Sequence, residues 1–469
     1  MSDSELKHPQ TLLNLYGVKQ DTIAVLSADS VLKYEEIFDQ APSVAKEKNP
    51  YFLIRGNRDM KDFVELASTW ILNCPYIPLN PKFSEERTRA ITSALEQISD
   101  DELTGLAYII FTSGTTGEPK GVPIARSQLH SYANVLRALY APTPDDRVIQ
   151  IADLSFDLSV MELSLAWPNG AALCVVPSQH TLMAPRYAQD MGVTIWVSVP
   201  SVISMSHKAG LLKPNSLPDV RLALFCGEAL TYHAIRAFSL AAPNARLVNT
   251  YGPTEATVSV THFEIDRKLL VDEQPADPLL SVMPLGFPDP GVELGLFNPG
   301  ANEMALGDGE LCISSERVTS GYINNPDLNA TKFFMYGGKR WYRTGDLAFY
   351  SDQYGYCYKG RTDRQIKLKG YRIELQDIES ALRKAAKTDL VCVVPFPVLP
   401  DGSIQDLVGV VATSLPMILD VDSIKEGLAD ILPSYMVPAK VLSIAEMPLS
   451  INGKVDFKAV QEWVKGRLS

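Results

Sequence analysis

Short runs of consecutive apolar residues recur through the first half of the chain and constrain its fold most strongly. The clearest runs are 106–112, 192–200, 221–227 and 245–252, and a helix-length segment at 230–242 separates two of them. A strand that is apolar throughout must be covered on both faces, and parallel sheets flanked by helices provide that cover. The pattern predicts an α/β fold with a large N-terminal domain of layered, mostly parallel sheets and helices.

The C-terminal hundred residues have a different pattern. Leu375, Ile378 and Leu382 lie at helical spacing, and two strand-like runs follow at 389–396 and 406–413. Apolar residues three and four apart share one face of a helix, so this segment predicts an amphipathic helix that packs on a small sheet. About a hundred residues with this pattern are typical of a small α+β domain.

The charged stretch 360–372, GRTDRQIKLKGYR, lies between the two patterns. We interpret it as a hinge, near Asp363, followed by a surface loop. The sequence therefore predicts two domains, 1–362 and 363–469, of which the second is mobile.

Charge and cysteine content exclude several classes of protein. The chain has 43 basic and 55 acidic residues, a net charge of −12, whereas nucleic-acid-binding surfaces are basic. The six cysteines include no CxxC pair, so neither a zinc site nor a disulfide framework is indicated. We find no secretory signal and no apolar run long enough to span a membrane, and we expect a soluble, cytoplasmic protein.

The segment IIFTSGTTGEPKGVPI, 109–124, runs from an apolar strand into threonine, serine and glycine. Backbone N–H groups and hydroxyls in such a loop can bind phosphate oxygens, and Lys120 could add a positive charge. The stretch lacks the Gly-Lys-Ser/Thr ending of a P-loop nucleotidase. From these residues alone, a phosphate-binding loop and a flexible surface turn both remain open.

Four further segments follow this loop in a fixed order. They are NTYGPTEAT (249–257), YRTGDLA (342–348), GRTDRQIKLKGYRIEL (360–375) and NGKVD (452–456). Together with the loop, they resemble the motifs of the adenylate-forming superfamily, and within it the amino-acid adenylation domains of peptide synthetases and their stand-alone relatives. The resemblance implies ATP and Mg²⁺ as cofactors, a small amino acid as substrate and a carrier protein as partner.

The resemblance assigns a nucleotide-binding role to residues of all five motifs and to two residues directly before the fourth. These are Thr112, Ser113, Gly114, Thr115, Thr116, Gly117, Lys120, Asn249, Thr250, Tyr251, Gly252, Pro253, Thr254, Asp346, Tyr358, Lys359, Gly360, Arg361 and Lys454.

Within this set, the resemblance implies that Tyr251 stacks on adenine, that Asp346 accepts both ribose hydroxyls and that Arg361 closes over the ribose. Glu255 matches the family's magnesium ligand, and Mg²⁺ prefers carboxylate oxygens. Outside the motifs, a tyrosine after an apolar strand is more often a core residue, and an aspartate after glycine is more often in a turn.

Lys454 is the predicted catalytic residue, because the carboxylate of the substrate must attack an α-phosphate that is already anionic. A lysine between the two groups would stabilise the charge that develops there. An isolated Asn-Gly-Lys is more often a solvated hairpin tip. The position of Lys454 after the other motifs favours the catalytic role.

The resemblance also predicts the amino-acid pocket: Asp157, Leu158, Met161, Ser198, Leu224, Cys226, Thr250, Val258 and Ser259. Asp157 would pair with the α-ammonium group, which acyl-CoA synthetases do not bind. Met161 and Leu224 would exclude large side chains. Cys226 would crowd the L-side of the α-carbon and favour D-alanine, although a strand cysteine is most often simply buried. Ser259 departs from the usual alanine, and its hydroxyl would admit serine or bond to nearby backbone.

The predicted reaction is ATP-dependent activation of a small amino acid, D-alanine first, and its transfer to the phosphopantetheine thiol of a carrier protein. No carrier signature follows residue 456, so we expect a separate carrier and a monomeric ligase. Alternatives are a glycine, L-alanine or serine enzyme of a natural-product pathway, an acyl-CoA synthetase, or an inactive scaffold. The connection at 90–105 is shorter than the family leads us to expect, which leaves open whether a strand or helix is missing there.

Overall fold

The computed structural model describes most of the chain, namely residues 22–44, 50–72, 74–112, 119–298, 300–399, 404–412, 420–449 and 455–468. These residues form two compact units. The larger unit contains the described residues up to 81, 96–110 and 121–362, and the smaller contains those of 82–95, 111–120 and 363 onward.

The strands are short, as the apolar runs predict. In chain order they are β1 (Ile23–Leu26), β2 (Val31–Lys33), β3 (Phe52–Arg55), β4 (Tyr76–Leu79), β5 (Leu106–Thr112), β6 (Lys120–Ala125), β7 (Arg147–Gln150), β8 (Ala172–Val175), β9 (Ile195–Ser198), β10 (Leu222–Phe225), β11 (Arg246–Tyr251), β12 (Thr261–Glu264), β13 (Phe287–Pro288), β14 (Val292–Phe297), β15 (Asp308–Ser315), β16 (Phe333–Tyr336), β17 (Lys339–Ser351), β18 (Gly355–Arg361), β19 (Gln365–Leu368), β20 (Tyr371–Glu374), β21 (Val391–Pro395), β22 (Leu407–Ala412) and β23 (Lys440–Ile444).

The helices lie between these strands. They are α1 (Tyr34–Val44), α2 (Met60–Leu72), α3 (Glu85–Leu95), α4 (Asp100–Leu103), α5 (Arg126–Tyr140), α6 (Leu158–Ala166), α7 (Ala184–Asp190), α8 (Pro200–Lys208), α9 (Tyr232–Ala241), α10 (Pro326–Lys332), α11 (Leu375–Ala386), α12 (Val421–Ile431) and α13 (Phe457–Leu468). Within the described ranges, none of them combines the length and apolar character that a bilayer crossing needs.

The larger unit contains a nine-stranded sheet in the order β13-β12-β11-β10-β9-β7-β8-β1-β2. Its centre is parallel, and β2, β12 and β13 pair antiparallel with their neighbours. Strands β9 and β10 are buried along their whole length, which explains why their sequences are continuously apolar.

The register of this sheet brings the ends of three strands together. Phe225 of β10 lies opposite Ser198 of β9 on one side and opposite Asn249 of β11 on the other. The residues that follow these strands therefore meet at one edge of the sheet. The carboxyl edge of a parallel sheet is where α/β proteins bind ligands.

Two further sheets include strands of the larger unit. One has the order β3-β4-β5-β6, and the other has the antiparallel order β14-β15-β17-β16, with β18 paired to β17. The pairing of β17 with β18 sets Asp346 opposite Arg361.

The connection before β5 keeps one short helix, α4. The side chain of Ser99 accepts a hydrogen bond from Glu102 N, and the Glu102 side chain accepts one from Ser99 N, which caps both N-terminal groups of this single turn. The chain then enters β5 directly at Leu106.

In the smaller unit, helix α11 packs beside a three-stranded sheet, β21-β22-β23. Leu375, Ile378 and Leu382 are all buried in one core cluster with Val391 and Leu407. The predicted helical face is confirmed, and both predicted strands are present.

Candidate functional site

The predicted amino-acid pocket is built at the carboxyl edge of the main sheet. Ser198 ends β9, Cys226 directly follows β10, and Thr250 is the penultimate residue of β11. The backbone N–H of Cys226 donates to Ser198 O at 3.2 Å, and the Thr250 hydroxyl donates to Phe225 O at 3.1 Å. These bonds fix the three positions beside each other.

Apolar members of the pocket set meet in one hydrophobic core. Helix α6 supplies Leu158 and Met161, strand β10 and the residue after it supply Leu224 and Cys226, and the turn after β11 supplies Val258. All five are buried in the same cluster. If these side chains line the substrate pocket, they leave room for a small apolar side chain rather than a long one.

The polar members of the pocket set have partners inside the protein. Ser198 Oγ accepts from Trp196 Nε1 at 2.9 Å. Ser259 Oγ lies 3.1 Å from the hydroxyl of Tyr132, on helix α5. The partner of Ser259 is thus a buried tyrosine hydroxyl and not the nearby backbone considered from the sequence.

Gly252 allows the chain to fold back at this edge. A Cβ atom at position 252 would lie 2.5 Å from Ser259 Cα and 2.6 Å from Val258 O, distances that real side chains do not adopt. The N–H of Val260 donates to Tyr251 O at 2.7 Å and closes the same loop. Glycine is therefore required here for close backbone approach.

Asp157 precedes helix α6, and its side chain does not cap that helix. The loop leading to it is fixed by Glu162, a fully buried residue that the sequence did not single out. Glu162 Oε1 accepts from the N–H groups of Ile151 and Ala152 at 2.9 and 3.1 Å, and Oε2 accepts from Gln150 Nε2 at 3.0 Å. Burial nevertheless raises the pKa of Glu162 to about 7.

The predicted ribose and adenine residues form a second group, which we call the nucleotide corner: Asn249, Tyr251, Asp346 and Arg361. The Tyr251 hydroxyl donates to Asp346 Oδ2 at 2.5 Å, and Arg361 Nη1 donates to Asp346 Oδ1. Burial, with the Asp346 charge, raises the pKa of Tyr251 well above its usual value, so the phenol stays protonated and donates.

Asn249 has an unusual hydrogen-bond pattern within this corner. Its Nδ2 donates to Pro284 O at 2.7 Å and to Met283 O at 3.3 Å. Its Oδ1 is buried and has no hydrogen-bond partner among the described residues. Asn249 and Tyr251 are two apart on β11 and so face the same side of the strand. A buried acceptor without a partner is costly, and a ligand donor would satisfy it.

Glu255 lies on a single 3₁₀ turn, Thr254–Ala256, and is buried. Its Oε1 accepts from the Tyr322 hydroxyl at 2.6 Å, and Tyr322 lies 3.3 Å from the Tyr342 hydroxyl. Among the described residues, no three His, Cys, Asp or Glu side chains cluster as a metal site. A single carboxylate suits Mg²⁺, which takes most of its remaining ligands from phosphates and water.

The other predicted nucleotide residues near Arg361 differ in environment. Tyr358 is exposed, and Lys359 forms an exposed ion pair with Asp308 on β15. Gly360 has a φ of 143° at the bulge beside β17, a conformation that favours glycine. Of this segment, only Arg361 contacts Asp346 directly in a described bond.

In the smaller unit, Lys120 is buried, and its Nζ lies 3.6 Å from Glu374 Oε1. Glu374 Oε1 also accepts from Gln365 Nε2 at 2.7 Å. Thr112 ends β5. Other predicted residues lie outside the described residues: Ser113, Gly114, Thr115, Thr116, Gly117 and Lys454.

Comparison with known protein families shows which family the chain belongs to. Residues 16–323 match the AMP-binding enzyme family. The chain belongs to the AMP-binding enzyme family. This confirms the family membership predicted from the ordered motifs.

Curated relatives indicate the class of enzyme within this family. A D-alanine–D-alanyl carrier protein ligase of Lacticaseibacillus casei is 36% identical over 392 residues, 80% of this chain and 74% of that protein. The Staphylococcus aureus protein of the same name is 30% identical over 489 residues, 95% of this chain and 96% of that protein. The predicted enzyme class, an ATP-dependent amino acid–carrier protein ligase, is confirmed by these relatives.

Solved structures agree with the predicted fold. The Vibrio cholerae adenylation domain AlmE, solved with glycyl-adenosine-5'-phosphate, has a TM-score of 0.86, is 25% identical and covers 99% of this chain and 98% of its own. PA1221, which contains adenylation and carrier domains, has a TM-score of 0.79 at 21% identity, and covers 97% of this chain and 83% of its own. The predicted α/β fold class is confirmed.

Proposed function

We propose that this chain uses ATP and Mg²⁺ to activate D-alanine and transfers the aminoacyl group to the phosphopantetheine thiol of a carrier protein. The observation that carries the proposal is the buried Oδ1 of Asn249, which no described residue hydrogen-bonds and which lies on the same strand as Tyr251. The exocyclic amine of adenine is a donor of the kind this acceptor requires. Tyr251 would stack on the base, and Asp346 would accept from the ribose hydroxyls.

The remaining nucleotide contacts complete the proposal. The loop 112–117 and Lys120 would bind the outer phosphates, and Glu255 would hold Mg²⁺. Lys454 would stabilise the charge that develops as the substrate carboxylate attacks the α-phosphorus and pyrophosphate leaves. The carrier thiol then attacks the carbonyl carbon of the adenylate, and AMP leaves. The domains 1–362 and 363–469, a monomeric state and a cytoplasmic location remain predictions.

The pocket supports a small amino acid. Asp157 would pair with the α-ammonium group. Leu158, Met161 and Leu224 are buried in one core cluster and would limit the size of the substrate side chain. The names of the curated relatives favour D-alanine. Glycine is the second candidate, because the structure of AlmE contains a glycyl adenylate.

ATP–pyrophosphate exchange with D-alanine, L-alanine, glycine, D-serine and L-serine tests the proposal. We expect the highest kcat/KM with D-alanine and weak exchange with glycine and L-alanine, since one methyl group in an apolar pocket gives only about 1–3 kcal/mol of discrimination. A preference for glycine would select the second candidate. No exchange with any of the five would contradict the function.

Lys454→Ala tests the catalytic role in the same assay, with Lys458→Ala on the following helix as the matched control. Loss of a group that stabilises transition-state charge lowers the rate by roughly 10²–10³. We expect that loss in Lys454→Ala and near-normal exchange in Lys458→Ala. Equal rates in the two variants would remove Lys454 from the site.

A further inference from the structure

A three-residue turn in the predicted pocket has a backbone conformation that its sequence does not favour. Thr257 and Val258 have φ values of 58° and 71°. The N–H of Ser259 donates to Thr257 O at 3.0 Å, which makes a γ-turn around Val258. β-branched residues rarely adopt positive φ, and this form of γ-turn is strained. The turn carries two pocket residues, Val258 and Ser259, so its conformation determines the shape of the pocket wall.

Both ends of this turn are bonded to one residue, Arg317. The Thr257 hydroxyl donates to Arg317 O at 2.7 Å, and Arg317 Nη1 donates to Ser259 O at 2.9 Å. The Arg317 side chain is only 1% exposed although it is charged. Buried guanidinium groups need partners, and here the partners include the turn itself.

Two further residues hold the guanidinium group in place. Asp289 Oδ2 lies 3.4 Å from Arg317 Nη2, and the ring of Tyr132 lies 5.6 Å from the guanidinium carbon. The same Tyr132 hydroxyl lies 3.1 Å from Ser259 Oγ. Arg317 thus contacts the backbone of the turn, and Tyr132 contacts the side chain of Ser259. A planar guanidinium group can lie over an aromatic ring and donate several hydrogen bonds at the same time.

We propose that Arg317 is a positioning residue for amino-acid selectivity, and that it acts by holding the turn Thr257–Ser259 in its strained conformation. Arg317 makes no described contact with Asn249, Tyr251, Asp346 or Arg361, so ATP binding does not depend on it directly. Its loss lets the turn relax and changes the shape available to the substrate side chain. This inference rests on the proposed function, which supplies the substrate that the turn would contact.

The test compares Arg317→Met and Arg317→Lys with Arg221→Met. Methionine keeps much of the apolar stem of Arg317 and removes its donors. Arg221 makes a two-bond ion pair with Asp146, at 2.7 and 2.5 Å, and precedes β10 at the opposite end of the same sheet. It controls for the loss of an arginine–carboxylate pair, in which the carboxylate is buried and the arginine is partly exposed, without a change at the pocket.

The measurements are KM and kcat for D-alanine, glycine and D-serine, KM for ATP, and the thermal unfolding midpoint. In Arg317→Met we expect KM for D-alanine to rise about 10- to 100-fold and the D-alanine preference to shrink, because a hydrogen bond from a charged group is lost. KM for ATP stays near the wild-type value, and Arg317→Lys retains part of the preference. Arg221→Met loses thermal stability and keeps the wild-type preference.

Two results would overturn the inference: a folded Arg317→Met with wild-type selectivity, or one in which KM for ATP and for D-alanine rise equally. If Arg317→Met does not fold, Arg317→Lys decides, since altered selectivity supports the inference and wild-type selectivity contradicts it. These results are separate from the proposed function, which is tested on the wild-type protein: no exchange with any of the amino acids contradicts it, and a preference for glycine replaces D-alanine as the substrate.

Discussion

The nucleotide corner and the amino-acid pocket lie on the same unit but are held in different ways. In the corner, Tyr251 and Arg361 bond directly to the two oxygens of Asp346. The candidate metal ligand Glu255 likewise accepts a direct hydrogen bond, from Tyr322 at 2.6 Å. In the pocket, apolar side chains from helix α6, the sheet and the turn after β11 pack in the core. The polar residues of the pocket form hydrogen bonds with other groups of the protein, as Ser259 does with Tyr132.

The difference follows from what each region is proposed to recognise. A nucleotide presents the same polar groups in every turnover, and directional bonds from charged groups suit them. The side chain of a small amino acid presents little besides shape, and shape is set by packing. Substitutions in the corner should therefore change ATP use strongly, and substitutions in the pocket should change mainly the choice among amino acids.

Asp346→Asn should have the largest effect. The amide keeps the size of the carboxylate but loses its charge, its second acceptor and its pairing with Arg361. We expect kcat/KM for ATP to fall by roughly 10²–10³. Glu293→Gln is the control, since it removes an exposed carboxylate that pairs with Lys339 in the same sheet. Equal activity of the two variants would mean that the corner does not bind nucleotide.

Glu162→Gln tests how Glu162 supports the loop before Asp157, and the quantity compared is the pH dependence of the free energy of unfolding. The pKa of Glu162 is raised from 4.5 to about 7 in the folded protein. The folded state therefore holds this proton more tightly, and the stability it contributes is present below pH 4.5 and is lost as pH rises through 7. The wild-type free energy of unfolding, relative to Glu162→Gln, should fall by about 3 kcal/mol over that range.

Chemical denaturation of both proteins at several pH values between 4.5 and 7.5 measures this difference. Parallel pH profiles for the wild type and Glu162→Gln would show that Glu162 titrates normally in the folded protein.

Tyr322→Phe tests whether the hydrogen bond from Tyr322 to Glu255 supports the proposed binding of Mg²⁺ by Glu255. Losing a hydrogen bond to a charged group should lower activity about 10-fold and raise the Mg²⁺ concentration needed for half-maximal exchange. Tyr336→Phe, on the exposed part of β16, serves as the control. A change in rate without a change in Mg²⁺ requirement would argue against a metal role for Glu255.

Cys226→Ala should have the smallest effect, confined to chirality. The substitution removes a single sulfur atom from the pocket wall, so the preference for D-alanine over L-alanine should fall by only a few-fold, about 1 kcal/mol. Cys357→Ala removes a buried cysteine from a different core cluster and controls for lost packing. An unchanged ratio of kcat/KM for the two enantiomers in Cys226→Ala would exclude a role in chirality.

Much of the secondary structure could be predicted from the sequence, because it depends on the pattern of apolar residues that are close together in the chain. The run 221–227 contains β10, the segment 230–242 contains helix α9, and the spacing of Leu375, Ile378 and Leu382 gave the buried face of α11. The spacing of apolar residues along the chain indicates whether a strand is buried on both faces and which face of a helix is buried. The motif order also identified the family without any knowledge of the fold.

The contacts that shape the site could not be predicted in this way. Asp346 and Arg361 were predicted separately, and only the pairing of β17 with β18 set them opposite each other. Tyr132 is 127 residues from Ser259, and Arg317 is 58 residues from the same serine. Tyr132, Glu162, Arg317 and Tyr322 carry no signal in the sequence that separates them from ordinary core or loop residues.

The sequence by itself thus determined which segments become strands and helices, which family the chain belongs to and which residues are candidates for binding. The tertiary structure alone decided how those candidates are held: the two bonds to Asp346, the buried support of Glu162 and the strained turn bonded to Arg317. The physical reason is that periodic burial depends on neighbours along the chain. A hydrogen bond between distant side chains depends on sheet register and loop path, which only the folded chain specifies.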